Sequence, residues 1–292
     1  MIEQNTRTDV RYIQTDTMKF IRFSSGREVP ALGQGTWRMG ENRASRSKEI
    51  TALKTGIDLG MTLIDTAEMY GDGGAEEVVA EAIAGRRSDV FLVSKVYPHN
   101  ASRSSLAKAC ERSLRRLRTD SLDLYLLHWP GSIPFSETLG GFQALKQSGK
   151  IKEFGVSNFD VTELQNAVAL PGGNQIATNQ VLYNLRRRGV EYDLVSWCRA
   201  HRIPLMAYSP LEQGRLDNRL SSVARKYKAT LAQVAIAWLL HQDDVIVIPK
   251  SSNEARVREN YASLSVKLTE EDLRELDRLF PPPRSKKSLE ML

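Results

Sequence analysis

The sequence predicts an α/β fold, a (β/α)8 TIM barrel preceded by a short N-terminal β-hairpin. Three observations predict it. Short apolar runs and helix-period segments alternate without a break over most of the 292 residues. Eight successive apolar runs end near positions 36, 65, 95, 128, 157, 180, 208 and 248, about 30 residues apart, the size of one strand-plus-helix crossover. Polar or charged side chains stand at all eight ends, and in such barrels the C-terminal strand ends carry function. No Gly/Ser-rich or Pro-rich stretch divides the chain. Residues 18–283 therefore read as one domain, 1–17 as a polar, flexible extension and 284–292 as a short polar tail.

The elements follow in order. Met18–Phe23 and Glu28–Pro30 flank Ser24-Ser25-Gly26-Arg27, a hairpin signal. Ala31–Trp37 is a glycine-rich first barrel strand that admits close approach by another backbone or a ligand. A helix capped by Ser47 carries Ile50, Leu53 and Ile57 on one face and stops at Gly60, before a strand at 62–65. A short helix at 75–83 precedes the strand at 90–95. Ser104 or Ser105 opens a helix with Leu106, Cys110, Leu114 and Leu117 inward, leading to the strand at 122–128. Three more helix–strand alternations follow: helix 136–149 with strand 152–157, helix 161–170 with strand 176–181, and helix 191–201 with strand 204–209. Thr230 and Gln233 form a capping-box pattern ahead of the apolar run 234–240, which leads to the last strand, 245–248. Helices near 254–261 and 269–279 complete the fold, and Pro281-Pro282-Pro283 ends it.

Composition narrows the class. Hydrophobic residues make up 41% and charged residues 26%, as in a soluble globular protein. The two cysteines, Cys110 and Cys198, offer neither a disulfide framework nor metal-ligand spacing, which suits a reducing compartment. The four histidines are too dispersed for a metal site. The start has no apolar signal core, and no run reaches the ~20 apolar residues of a membrane span. A cytoplasmic protein with no membrane partner is expected, acting as a monomer, with a dimer left open. The net charge of +6 raises a nucleic-acid reading. The basic residues are scattered beside acids, however, so a polyanionic small cofactor accounts for the excess and no nucleic-acid partner is expected.

The chemistry gathers at three strand ends. Leu63-Ile64-Asp65 ends on a carboxylate, with Tyr70-Gly71 five residues on; the next two runs end on Lys95 and His128. If the strands are parallel neighbours, an acid, a phenol, an ammonium and an imidazole converge on one face. A free phenol titrates near ~10, and a nearby ammonium lowers that value. Lys95 is the candidate ammonium, held and balanced by Asp65. Neutral His128 can hydrogen-bond a carbonyl oxygen. Taken alone, His128 reads as a capped core histidine and Asp65–Lys95 as a barrel-end salt bridge; the set together reads as catalytic. It suits proton transfer coupled to another agent such as a hydride donor. After the last strand, Lys250, Ser251 and Arg256 gather at a helix start, where free N–H groups and the dipole favour an anion. There is no G-x-G-x-x-G after a strand, so no Rossmann cofactor site is indicated.

From about Met18 to Pro283 the chain resembles the aldo-keto reductases. The matching stretches are GQGTW (33–37), LIDTAEMYG (63–71), VSKV (93–96), DLYLLHWP (123–130), GVSNF (155–159), TNQVLYN (178–184), AYSPL (207–211) and IPKS, with R and EN following by 260. In appearance it is nearest to bacterial methylglyoxal reductase-like members. The resemblance implies NADPH-dependent reduction of small aldehydes and ketoaldehydes, with Asp65, Tyr70, Lys95 and His128 as the catalytic tetrad and Tyr70 as proton donor. It implies that Ser157, Asn158 and Gln180 hold the carboxamide and that Tyr208 stacks on the nicotinamide. Ser209, Leu211 and Gly214 would follow the pyrophosphate, Lys250, Ser251 and Arg256 would hold the 2′-phosphate, and Glu259 and Asn260 the adenine. Thr36 is expected among the cofactor contacts, and Trp37 and Trp129 as walls of the pocket for a small carbonyl substrate. Two features depart from the family pattern. The tail after Pro283 is short where narrow-specificity relatives close the pocket with a longer loop. Arg186-Arg187-Arg188 follows Gln180, read either as a solvated basic turn or as charge that draws anionic compounds toward the site. A competing reading, an NADPH-sensing subunit of the same fold, is opposed by the intact tetrad.

Overall fold

The structure, a computed structural model, describes residues 18–292; the expected extension over 1–17 lies outside the described residues. Strands β1 (Phe20–Arg22) and β2 (Glu28–Pro30) pair antiparallel, with Ile21 opposite Val29. Eight strands then pair in parallel in sequence order: β3 (Gln34–Gly35), β4 (Leu63–Asp65), β5 (Phe91–Val96), β6 (Leu122–Leu127), β7 (Ile151–Ser157), β8 (Ile176–Leu182), β9 (Leu205–Tyr208) and β10 (Val245–Val247). The sheet closes on itself. Gly33 N–H donates to the Val247 carbonyl at 2.8 Å, Val247 N–H to Ala31 at 2.7 Å and Gly35 N–H to Pro249 at 3.1 Å. Closure satisfies the backbone groups that two open edges would expose. The helices are α1 (Arg46–Asp58), α2 (Gly74–Ala82), α3 (Arg103–Leu117), α4 (Phe135–Gln147), α5 (Val161–Val168), α6 (Leu194–Ala200), α7 (Ser221–Lys226), α8 (Leu231–His241), α9 (Glu254–Tyr261) and α10 (Glu270–Leu279). Among the described residues no helix is long and apolar enough to cross a membrane.

Several boundaries differ from the expected ones, and Ser47, expected to cap α1, lies inside that helix. Ser102, in extended conformation, accepts from Ser105 N–H and starts α3 ahead of the expected serines. Helix α1 begins at Arg46, with the Ser45 hydroxyl bonded to Glu49. Residues 189–191 form a 3-10 turn, so α6 starts at Leu194. Helix α7 has no counterpart among the expected elements; it has six residues with only Val223 and Ala224 buried, too short for a period to show. The capping box expected at Thr230 is present.

Every strand from β4 to β10 is buried on both faces, and its period of two sorts its side chains between two cores. Leu63, Phe91, Val93, Leu124, Leu126, Met206, Ile246 and Ile248 fill the barrel interior. Ile64, Leu92, Tyr125, Leu127, Leu205, Ala207 and Val247 face the helices. Ile21, Phe23, Val29 and Ala31 of the hairpin join the interior cluster, and Phe23 packs edge-on against Phe91, the first residue of β5, at 5.9 Å. The hairpin thus seals the end of the barrel where the strands begin. Fully burying one such aliphatic side chain stabilises the fold by about 1.5–3 kcal/mol. The same alternation aims the residue two beyond each interior apolar one toward the mouth: Asp65 after Leu63, Lys95 after Val93, His128 after Leu126, Tyr208 after Met206, Lys250 after Ile248. Ser94, of opposite parity, points outward and its hydroxyl donates to Glu76 of α2 at 2.6 Å.

Candidate active site

At the open end the four expected groups meet. Lys95 Nζ, fully buried, donates to Asp65 Oδ2 at 2.7 Å and the Thr66 carbonyl at 2.9 Å, and lies 3.3 Å from the Tyr70 hydroxyl. These three acceptors match the three N–H bonds of an ammonium. Tyr70 is delivered by a sharp reversal in which Gly71, Asp72 and Gly73 take φ values of 56, 52 and 90, which glycine adopts without steric cost. The turn rests on the loop after β3, where a Cβ on Gly40 would lie 2.2 Å from the Gly74 backbone. The His128 ring stands edge-on to the Tyr70 ring at 5.7 Å and tilted against Trp129 at 4.8 Å.

The electrostatics correct one expectation. The phenol was expected below its ordinary value; burial instead raises Tyr70 well above 10, and the Asp65 charge adds to the rise. Desolvation is the larger cause, because the hydroxyl is buried against the Lys95–Asp65 pair. Tyr70 is half-buried as a whole residue, with its hydroxyl set against the fully buried Lys95. Burial pulls the Lys95 pKa down, opposed by Asp65. His128 is pushed down to about 2 by burial, with the Lys95 charge adding, and its Nδ1 is buried with no hydrogen-bond partner among the described residues. Its imidazole is therefore neutral at working pH. The sign for stability follows: between the unfolded value near ~6.5 and the folded one, the unfolded chain binds the extra proton, so acidification destabilises the fold. The pH profile of kcat should accordingly show no histidine inflection between about pH 5 and 8. An inflection there that vanishes in His128→Gln would overturn the neutral assignment.

These groups open into a cleft of about 900 Å³. Every expected site residue lines it except Lys95, which lies behind Tyr70 and Asp65. Ser157 Oγ donates to the Gln180 carbonyl at 2.8 Å, and Asn158, at φ 60, donates through Nδ2 to the His128 carbonyl at 3.1 Å. The Tyr208 hydroxyl donates to Asn158 Oδ1 at 3.1 Å, and Thr36 Oγ1 to the Asp65 carbonyl at 2.9 Å. Gln180 Nε2 donates to Asp65 Oδ1 at 2.8 Å. Asp65 is thereby held by Lys95 on one oxygen and Gln180 on the other, a contact the sequence reading had not placed. Ser209 (φ 48), Leu211 and Gly214 (φ 84) run along one side, and Trp37 and Trp129 stand at the tetrad. Met69, Leu216 and Arg38 also line the cleft. Arg38, at φ 65, lies over the Trp37 ring at 4.9 Å; no periodicity marks it, because it sits in a loop.

At the far end Lys250 leaves the barrel wall beside Gly35, and burial lowers its pKa. Asn253 caps α9 through Arg256 N–H, and Ser251 Oγ bonds the Asn253 backbone. The exposed Arg256 side chain makes no ion pair among the described residues. Asn260 is buried below, and Glu259 accepts from Thr230 Oγ1 at 2.5 Å. Among the described residues no group of three or more His, Cys, Asp or Glu is placed to hold a metal.

The arginine run divides. Arg188 pairs with Glu191 and Asp277, both at 2.7 Å, and lies over the Trp238 ring at 5.0 Å. Arg187 pairs with Glu212 at 2.9 Å and with Glu290 of the tail at 2.6 Å. Only Arg186 is exposed. Two of the three charges are thus neutralised in place, which leaves Arg186 alone to supply any steering field. The tail is likewise more than a polar end. Leu289 packs on the core, and Met291 and Leu292 line the cleft.

Known proteins resemble this chain over most of its length. The model of the Aldo/keto reductase family matches residues 31–280. The chain is 52% identical over 281 residues to methylglyoxal reductase YeaE of Escherichia coli K12, covering 94% of this chain and 99% of that protein. It is 34% identical over 262 residues to a glyoxal reductase of Bacillus subtilis, covering 89% and 92%. A crystal structure of an aldo/keto reductase from Klebsiella pneumoniae in complex with NADP and acetate superposes with a TM-score of 0.92 at 49% identity, covering 94% of this chain and all of that one.

Proposed function

This chain belongs to the aldo/keto reductase family, and from that premise we propose how its residues reduce small aldehydes and ketoaldehydes of the methylglyoxal kind with NADPH. The cofactor fits the donor set on the page. One end of the cleft offers the side chains of Ser157, Asn158 and Gln180 and the ring of Tyr208; the other offers Lys250, Ser251 and an uncommitted Arg256. When bound, NADPH supplies a hydride to the carbonyl carbon. All else falls to the chain. Trp37, Trp129 and His128 hold the carbonyl against the phenol, and neutral His128 donates a hydrogen bond to its oxygen. Tyr70 gives its proton to that oxygen as negative charge develops on it. A phenol held protonated is suited to that step, and Lys95 at 3.3 Å then stabilises the phenolate left behind.

The observation that carries the reading is the single contact in which Lys95 joins Asp65 to the Tyr70 hydroxyl at the cleft mouth. The direct test is NADPH consumption with methylglyoxal by the purified protein, with the alcohol identified as product. Absence of turnover at saturating cofactor would reject the reading. We place the action in the cytoplasm, in a barrel domain spanning residues 18–283 whose cleft is also lined by Met291 and Leu292 of the tail.

NADPH rather than NADH is expected from the far end of the cleft. The cofactors differ by a 2′-phosphate, and a site built for NADH presents a carboxylate to the free hydroxyl. Lys250 and Arg256 offer cations there instead, and an arginine can grip a phosphate through two charge-assisted hydrogen bonds. Arg256→Ala should weaken NADPH at least about tenfold and leave NADH nearly unchanged, with high salt narrowing the gap. Equal affinities for both cofactors in the unaltered protein would remove the 2′-phosphate assignment.

A further inference from the structure

Arg187 stands where three separate segments meet. Its guanidinium bonds Glu212, in the loop after β9, and Glu290, in the tail. Asn184, three residues before it, donates to the Ser209 carbonyl and to Glu212 Oε2, both at 2.9 Å. Glu212 is almost wholly buried, 3% exposed, and has φ 47. It sits between Ser209 and Gly214, so the cation beside it helps set the path of that loop. Burial pushes the Glu212 carboxyl up, but the bonds from Arg187 and Asn184 outweigh it and hold it ionised. On the other side, Glu290 precedes Met291 and Leu292, which line the same cleft as Tyr208. Lys286 pairs with Asp193 at 3.0 Å and fixes the tail where it leaves the barrel.

We propose that Arg187 is a positioning residue that couples the tail to the cofactor loop, so that ordering 209–214 around the cofactor diphosphate also seats Met291 and Leu292 as a wall of the substrate cleft. The inference rests on the cofactor assignment above. Its physical content is one cation shared by two carboxylates: the Glu212 arm is buried and sets where Arg187 sits, and the partly exposed Glu290 arm follows it. With the tail seated, the cleft suits small carbonyl compounds; with it released, bulky aldehydes gain room. The loss of a partly exposed ion pair changes such an equilibrium by roughly two- to fivefold, enough to alter selectivity without unfolding the barrel.

The test is hydrogen exchange of peptides covering 209–216 and 286–292, with and without NADPH, in the full chain and in Glu290→Gln, Glu290→Asp and Arg187→Met. In the unaltered protein NADPH should slow exchange in both peptides. In Glu290→Gln the loop should keep its NADPH-dependent protection while the tail loses it, and kcat/KM for an aromatic aldehyde relative to methylglyoxal should rise about two- to fivefold. Glu290→Asp should restore part of both effects. Arg187→Met should additionally weaken NADPH at least about tenfold, because the buried Glu212 loses its hydrogen-bonded cation and keeps only the more distant Arg215 at 3.6 Å. Glu290→Gln keeps the proposal falsifiable if Arg187→Met fails to fold. A tail still protected by NADPH in Glu290→Gln, or one never protected in the unaltered protein, overturns the coupling. Failure to bind NADPH at all would instead sink the cofactor assignment, a separate result.

Discussion

Tyr70→Phe is expected to lower kcat by about 10²–10⁴-fold, the usual contribution of a positioned general acid, while NADPH affinity stays within a few-fold. The substitution keeps the ring that packs edge-on against His128 and removes only the hydroxyl beside Lys95. Binding should therefore survive where proton transfer does not. Rapid-mixing kinetics with saturating NADPH, paired with a fluorescence titration of the cofactor, separate the two. A variant retaining more than about a tenth of the unaltered kcat would show that the proton comes from elsewhere. The raised phenol pKa adds a direction. If Tyr70 delivers the proton, reduction should not fall with rising pH as early as it would for a phenol pulled below its ordinary value.

Lys95→Met should damage both activity and stability. Lys95 is wholly buried and its main partner, Asp65, is buried with it. Removing one member strands the other as a charge in the interior, which costs about 3–5 kcal/mol. Gln180 would remain on Asp65 Oδ1, a neutral donor that cannot balance a carboxylate. Denaturant unfolding should show the loss as a lowered midpoint, and turnover should fall with Tyr70→Phe-like severity because the emerging phenolate loses its counter-charge. The pairing with Asp65→Leu is informative. An apolar replacement of both partners should recover most of the stability and none of the activity. Unchanged stability in Lys95→Met would mean that the ion pair is not the buried unit described above, and full activity would remove Lys95 from the mechanism.

Much of the candidate site was legible because it rests on local periodicity. Asp65, Lys95 and His128 each fall two residues past an interior apolar side chain, and that parity can be read without coordinates. Ser94 and Lys95 are neighbours in sequence, yet parity alone sends one to Glu76 outside the barrel and the other to Asp65 inside. The unexpected findings have a different origin. The direction of the Tyr70 shift depended first on how completely the phenol is buried and then on the nearby Asp65 charge, neither of which local sequence shows. The arginine run looked like free charge because its partners are remote: Glu212 lies 25 residues on and Glu290 103. The tail looked too short to close the pocket because its reach depends on where the last helix ends relative to the cleft.

The sequence by itself determined the barrel, the order of its strands, the sealing hairpin and the identity of the residues at the mouth. Strand period, crossover length and capping chemistry act over a few residues to a few tens, and this chain expresses them consistently. Only the tertiary structure decided which of those residues bond one another. Gln180 reaches Asp65 across 115 residues, and the closure of the sheet brings Gly33 onto Val247. Ring closure converts linear distance into contact, and the dielectric surroundings it creates set whether a phenol is pulled down by a lysine or pushed up by burial.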